Sequence, residues 1–436
     1  MAFSVPRRAT CLPVAVVLAV AAALASPFGH LGALAVEGGA GASDDWHVVS
    51  VSSMRPSAVC RTAAEEASNT SALKVVHRHG PCSPLRSRGA APSPVEILHR
   101  DRDRATSIHR KIIAKKDFAV EFDTGSDLSW VQCKPCHHCF EQKDPLFDPS
   151  KSSTYSALPC GARECRDLGD DLRRTCSSPG DACRFEVSYA DGSVTVGDLA
   201  RDTLSLPTAA EPDAIPGFVF GCGHEHDNTG SFGKEDGLIG LGRKSVSLSS
   251  QAASRYGRGF SYCLPSLSSG AGYLSLGGPG EPPANARFTP MVPNRDLPSE
   301  YFVRLVGVRV AGETVKIPPA SMLAQPHRYR RAPGLSFLDT CYNFTGHAAV
   351  RVPAVALVFA GGATVDLDVS GVLVKLGSDE PDVWCLGFTS TGDDTPVGIL
   401  GNTQQKTLAV VYDLANRRIG FGAAARENFC RHFIPT

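Results

Sequence analysis

Asp123-Thr124-Gly125-Ser126 places a carboxylate, two hydroxyls and a glycine in four consecutive positions. Phe118, Val120 and Phe122 alternate before it, as a strand with one buried face does, and the chain then turns at Asp123-Thr124-Gly125. A glycine at such a turn lets a second backbone approach closely, while neighbouring hydroxyls hydrogen-bond a carboxylate and hold its geometry. Two carboxylates close enough to share a proton divide acid and base work between them: one takes a proton from water while the other polarises the group under attack. Asp123 is therefore read as one half of such a pair, and the other half has to be found.

The elements that must position it lie in a chain of 436 residues, enough for two or three compact units. With 44 basic and 44 acidic side chains and no polybasic patch, composition argues against a nucleic-acid partner. Arg7 and Arg8 precede an apolar run from Leu12 to Leu24 and a small-residue stretch, Ala23-Leu24-Ala25-Ser26, which together read as a secretory signal over residues 1–25. No stretch is apolar for the ~20 residues that spanning a bilayer needs. The expectation is a secreted monomer, free of the membrane once the signal is removed, in the apoplast or cell wall, with the vacuole as the alternative.

Fifteen cysteines fit an oxidising compartment. Cys11, Cys60 and Cys82 come early, and the other twelve, from Cys133 to Cys430, form an even set whose pairing the sequence alone does not give. Asn69-Thr70-Ser71 and Asn343-Phe344-Thr345 are glycosylation sequons, making Asn69 and Asn343 candidate acceptors. Residues 26–115, rich in Ala, Ser, Pro, Arg and His, read as a propeptide, with a basic and helical end. From Asp117 onward, short runs of Val, Leu, Phe and Thr alternate with Gly, Pro, Asp and Ser, the mark of an all-β sandwich or barrel. The clearest helical stretch is Ser247–Tyr256. "DGLIGLG" (236–242) and "VGILGN" (397–402) echo one another late in each half, as two similar β lobes would, here expected over residues 116–290 and 291–436.

Trp130 lies seven residues after Asp123, and "YADGSVTVGDLARDT", beginning at Tyr189, reads as a hairpin turning at Asp191-Gly192. With "DGLIGLG", "GILGNTQQKTLAVVYDLANRRIGFG", the Cys-rich "CKPCHHCFEQKDPLFDPSKSSTYSALPCGARECRDL" and the earlier "VVHRHGPCSPL", the chain resembles the plant, nepenthesin-like branch of the pepsin-like aspartic proteases from about residue 73 onward. The resemblance implies a bilobal all-β pepsin-like (acid protease) fold, polypeptide substrates, endoproteolysis at acidic pH, and no metal or organic cofactor. It makes Asp123 a catalytic carboxylate, Thr124, Gly125 and Ser126 the support of its loop, Tyr189 the tip of a flap, and Trp130 the residue that holds that tyrosine. "LIGLG" and "ILGN" would be the apolar strands behind the catalytic loop of each lobe. Cys341 is expected to bridge Cys385 within the second lobe.

The chain departs from that pattern in its second half, which contains no Asp-Thr-Gly or Asp-Ser-Gly. Asp339-Thr340-Cys341 lacks the glycine, Asp394-Thr395-Pro396 has proline at the turn, and Asp368-Val369-Ser370-Gly371 has the wrong spacing. The second motif should fall between "YFVRLVGVRVAGETVKIPP" and "RYRRAPGLSFLDTCYNF", where only residues 320–328 stand, so a catalytic strand, its loop and a following helix are missing and the second lobe is expected to be incomplete. The first lobe looks shortened as well, with "HRKIIAKK" in place of an initial strand. Little or no hydrolysis by this chain is expected, whether as an inactive splice variant or as a catalytically dead peptide-binding or decoy protein.

Other chemistries fit less well. "CKPCHHC" offers zinc ligands in Cys133, Cys136, His137, His138 and Cys139, but in an oxidising compartment such cysteines bridge. The order Gly-x-x-Gly-x-Gly in "GLIGLG" opens no helix and has no acidic residue placed for a ribose. Pairing two single-Asp chains is blocked by the second lobe, which occupies the surface a partner would need.

Overall fold

The computed structural model describes most of residues 116–423, with interruptions, and before them segments 2–4, 46–54, 72–77 and 108–113 plus a few residues from 80 to 85. The β-rich stretches form strands throughout, and helices are confined to single turns. Ser247–Tyr256, expected as a helix, is two consecutive turns, Leu248–Gln251 and Ala253–Tyr256, with the Ser247 side chain accepting from the Ser250 N–H as N-cap.

In the first lobe the long strands Val194–Leu206 and Asp213–Asp227 pair antiparallel, and Arg184–Ser188 adds to the first of them. Strand Lys116–Asp123 ends on the candidate carboxylate, and Gly237–Gly240 pairs with it in parallel, Gly240 opposite Asp123. Only glycine fits that crossing: a Cβ on Gly240 would stand 2.2 Å from the Asp127 carbonyl oxygen. The second lobe contains Phe302–Val310 against Val355–Phe359, and a separate four-stranded sheet of Arg330–Ala332, Cys341–Asn343, Val383–Leu386 and Leu373–Leu376.

A run of strands joins the two lobes. From Lys116–Asp123 it passes through Ile108–Ile113, Ala72–Val76, Gly272–Leu276, Phe260–Cys263, Leu408–Asp413 and Arg418–Ala423 to Arg287–Val292, each antiparallel to the next. Its core is aromatic: the rings of Phe260 and Tyr412 stack with centroids 4.3 Å apart, and Tyr301 meets Tyr412 edge-on at 4.7 Å. Two members of this run, Ala72–Val76 and Ile108–Ile113, fall inside the stretch read as a propeptide, and Leu73 and Val75 are fully buried.

The strand slot beside Phe302–Val310 has an unexpected occupant. Ala2–Ser4, within the stretch read as a signal, runs parallel to Phe302–Val310 and antiparallel to Val397–Ile399, lying between the two. The 320–328 junction lies outside the described residues.

Five disulfides are placed: Cys133–Cys222, Cys136–Cys139, Cys160–Cys176, Cys165–Cys183 and Cys341–Cys385. Cys82 and Cys263 are also disulfide-bonded, while Cys430 lies outside the described residues. The Cys341–Cys385 bridge expected from the resemblance is present, and Cys136–Cys139 removes two thiolates from the alternative zinc reading. Thiol titration of the native, oxidised protein is expected to find none of these twelve cysteines free. The bridges that close longer loops each stabilise the fold by ~2–4 kcal/mol through their effect on the unfolded chain, and several reactive thiols would contradict the arrangement.

Candidate active site

Asp123 sits partly exposed at the end of its strand, and its Oδ1 accepts from the Gly125 N–H at 2.8 Å. The loop behind is fixed by backbone: the Leu241 N–H donates to the Asp123 carbonyl and the Gly242 N–H to the Ser126 carbonyl, both at 2.8 Å. Buried Asp236 ties the base of the strand, accepting from the Ala119 N–H at 2.6 Å. Thr124 lies beside the buried Tyr412 hydroxyl. The Ser126 hydroxyl is buried and has no hydrogen-bond partner among the described residues.

Trp130 is fully buried, and its Nε1–H donates to the Tyr189 hydroxyl at 2.5 Å, joining the strand after the catalytic loop to the tip of the Arg184–Ser188/Val194–Leu206 hairpin. That hairpin closes through the Tyr189 N–H on the Ser193 carbonyl, with Gly192 at φ 83°. Phe232 stands edge-on to both aromatic rings, at 5.1 Å from Trp130 and 6.0 Å from Tyr189. Asp191 and Asn69 lie outside the described residues. Asn343 is half-buried on a strand, its side-chain oxygen accepting from the Thr345 N–H at 2.8 Å.

The structure also brings up a residue that the sequence did not single out. The point where a Cβ on Gly125 would stand is 3.3 Å from Asp123 Oδ1 and 3.6 Å from Glu300 Oε1. A carboxylate rooted just before the second lobe's Phe302–Val310 strand thus overhangs the Asp123 turn. No local signal marks it, since a charged residue before a strand is ordinarily a solvated turn. Its neighbour Tyr301 donates to the Leu241 carbonyl at 2.7 Å, locking that strand's root to the first lobe's catalytic loop. Burial pushes the hydroxyls of Tyr262, Tyr301 and Tyr412 up, so this cluster is neutral wherever the fold exists.

Two histidines near the flap titrate in opposite senses. Burial pushes His226 down to about 4, the Gly223 backbone opposing and His224 adding repulsion. His224 is raised, first by its hydrogen bond to Asp198, against a desolvation that lowers it. A depressed histidine stabilises the fold fully above its unfolded value and loses that contribution as pH falls towards the folded one. Unfolding free energy in urea is therefore expected to drop between pH 6.5 and 4 by on the order of 1–3 kcal/mol more in the native chain than in His226→Gln. His224, raised, contributes in the reverse direction in both proteins, so an equal pH slope in the two would contradict the burial argument for His226.

Comparison with known proteins agrees with this architecture. Residues 113–278 match the family model described as xylanase inhibitor N-terminal, and residues 320–423 the one described as xylanase inhibitor C-terminal. An aspartyl protease family protein of Arabidopsis thaliana is 34% identical over 446 residues, covering 86% of this chain and 92% of the relative. That alignment is longer than this whole chain of 436 residues although only 86% of the chain enters it, so the relative carries several tens of residues that this chain lacks. The aspartic proteinase nepenthesin-2 of Nepenthes gracilis is 32% identical over 340 residues, covering 70% of this chain and 74% of the relative. Among solved structures, basic 7S globulin from soybean superimposes with a TM-score of 0.56 at 20% identity, covering 76% of this chain and 96% of that one, which shows a shared fold. The bilobal all-β architecture is pepsin-like, and the chain belongs to the plant pepsin-like aspartic protease family.

Proposed function

We propose that this chain is a peptide-binding member of an endopeptidase family with little or no hydrolytic activity of its own. The observation that carries this reading is a contrast of register. In the first lobe the glycine strand Gly237–Gly240 lies beside a strand ending in Asp123. Its second-lobe echo, Val397–Ile399, lies beside Ala2–Ser4, which brings no carboxylate. The flap side of the cleft is built, with Tyr189 anchored on Trp130, so an extended polypeptide retains a wall to lie against. Export, glycosylation at Asn343 and a monomeric apoplastic or vacuolar product complete the proposal.

A second reading has one observation in its favour. Glu300 overhangs the Asp123 turn, so a second carboxylate stands near the first. On that reading the chain is a slow hydrolase. The deciding experiment acidifies the oxidised protein with a denatured protein substrate and, in parallel, measures binding of a statine-type peptide. Binding without turnover supports the first reading, and turnover lost in both Asp123→Asn and Glu300→Gln supports the second.

A further inference from the structure

Away from the flap, the junction of the two lobes contains a cavity of about 270 Å³ lined by Arg243, Ser249, Ser250, Arg258, Met291 and Arg417. The three arginines come from separate parts of the chain. Arg243 stands three residues after the glycine strand, Arg258 follows the second helical turn, and Arg417 lies in the turn between Leu408–Asp413 and Arg418–Ala423. Their convergence is made by tertiary structure alone.

We infer that this cavity is a binding site for a compact, multiply charged oxyanion, a phosphate or sulfate, free or as an ester on a single sugar. Three observations carry this. The first is a convergence of like charge: three exposed arginines line one cavity. Some arginines elsewhere do pair closely, Arg184 with Glu225 at 2.7 Å, Arg201 with Glu164 at 2.5 Å, Arg255 with Asp213, and Arg418 with Asp413 at 2.7 Å, whereas others, such as Arg174, Arg287 and Arg304, form no ion pair among the described residues. Among the described residues Arg243, Arg258 and Arg417 have no such partner, and no acidic residue lines the cavity. The acid nearest in sequence to Arg417, Asp413, is already committed, since both its oxygens accept from Asn416 and Oδ2 also from Arg418.

The second observation is backbone geometry. Arg417 has φ 51°, a conformation that non-glycine residues adopt rarely and at a cost of order 1 kcal/mol or more. Arg258 stands between Gly257 at φ 88° and Gly259 at φ 147°, a turn open only to glycine at those two positions. Both guanidiniums are thus presented by turns held in unusual geometry. The third is the donor set. The Ser250 hydroxyl accepts from Ser247 and retains its own proton to give, next to guanidinium forks whose planar donors match tetrahedral oxyanions. Met291 and Leu414 supply an apolar wall that would take the face of a sugar ring.

The site is coupled to the candidate active site through Gly242, the residue before Arg243. Its carbonyl accepts from Tyr301 and Ser249, and its N–H donates to Ser126 in the Asp123 loop. An anion held by Arg243, Arg258 and Arg417 would therefore tie the first lobe to the hairpin of the joining sheet directly behind that loop.

The test is isothermal titration of the full oxidised chain with inorganic phosphate, inorganic sulfate and glucose 6-phosphate, against sodium chloride at matched ionic strength and against glucose. Saturable binding of the oxyanions, weakened at least tenfold in Arg258→Gln/Arg417→Gln, is the expected result. Tighter binding of glucose 6-phosphate than of inorganic phosphate would identify the ester as the occupant, and equal binding the free ion. Heats no larger than those of chloride, or binding unchanged in the double variant, would overturn the proposal. Should the variant fold poorly, phenylglyoxal modification of the native chain gives the same decision: phosphate must protect Arg243, Arg258 and Arg417 selectively, and failure to protect them refutes the site. Binding here is independent of proteolysis, so neither outcome depends on how the peptide cleft behaves.

Discussion

Acidified with a denatured protein substrate, the chain is expected to turn over ~10²–10⁴-fold more slowly than a version given an Asp-Thr-Gly or Asp-Ser-Gly segment at residue 320. That range is the typical contribution of one positioned general acid or base. The argument starts from Asp123, a partly exposed carboxylate held by one N–H, with no carboxylate in the strand beside Val397–Ile399 to share its proton. Without a shared proton, a single group must serve as both acid and base, and the water loses one of its two anchors. Asp123→Asn should abolish turnover in the restored version. If the unaltered chain matches the restored one and Glu300→Gln silences it, the second reading under Proposed function is correct.

Truncation before residue 78 is expected to be severely destabilising, although those residues read as removable. Leu73 and Val75 are fully buried in a strand that joins Gly272–Leu276 to Ile108–Ile113 at the centre of the sheet linking the lobes. Replacing Leu73 alone by Ala should cost ~2–5 kcal/mol, the range for a buried leucine. Deleting the strand would also leave two unpaired edges open to other chains, a route to aggregation. Thermal unfolding and size-exclusion chromatography of the full chain, of Leu73→Ala and of a version starting at residue 78 decide it. A truncated protein that stays monomeric with an unchanged melting temperature would show that Ala72–Val76 is dispensable. A cut at residue 115 would strip Ile108–Ile113 as well, so a maturation site is better sought N-terminal to residue 72.

Much of the first lobe was legible in the sequence, because its signals are local. Alternation before Asp123, the Tyr189 hairpin and the paired aliphatics of "DGLIGLG" are each set by a strand's two-residue period or by a turn's need for glycine, and the structure places them beside one another. The absence of a second Asp-Thr-Gly was equally plain, being a property of the chain itself. What tertiary structure alone decided was which distant groups meet. Ala72–Val76 carries only a brief apolar alternation, Leu73 and Val75 about Lys74, inside a stretch that otherwise reads as removable, and it enters the sheet because an edge between Gly272–Leu276 and Ile108–Ile113 is costly to leave unpaired. Glu300 overhangs the Asp123 turn because its neighbour Tyr301 is bonded to the Leu241 carbonyl 60 residues earlier. Arg243, Arg258 and Arg417 line one cavity because three turns with no shared periodicity close against one another, and a sequence records periodicity far better than it records such closure.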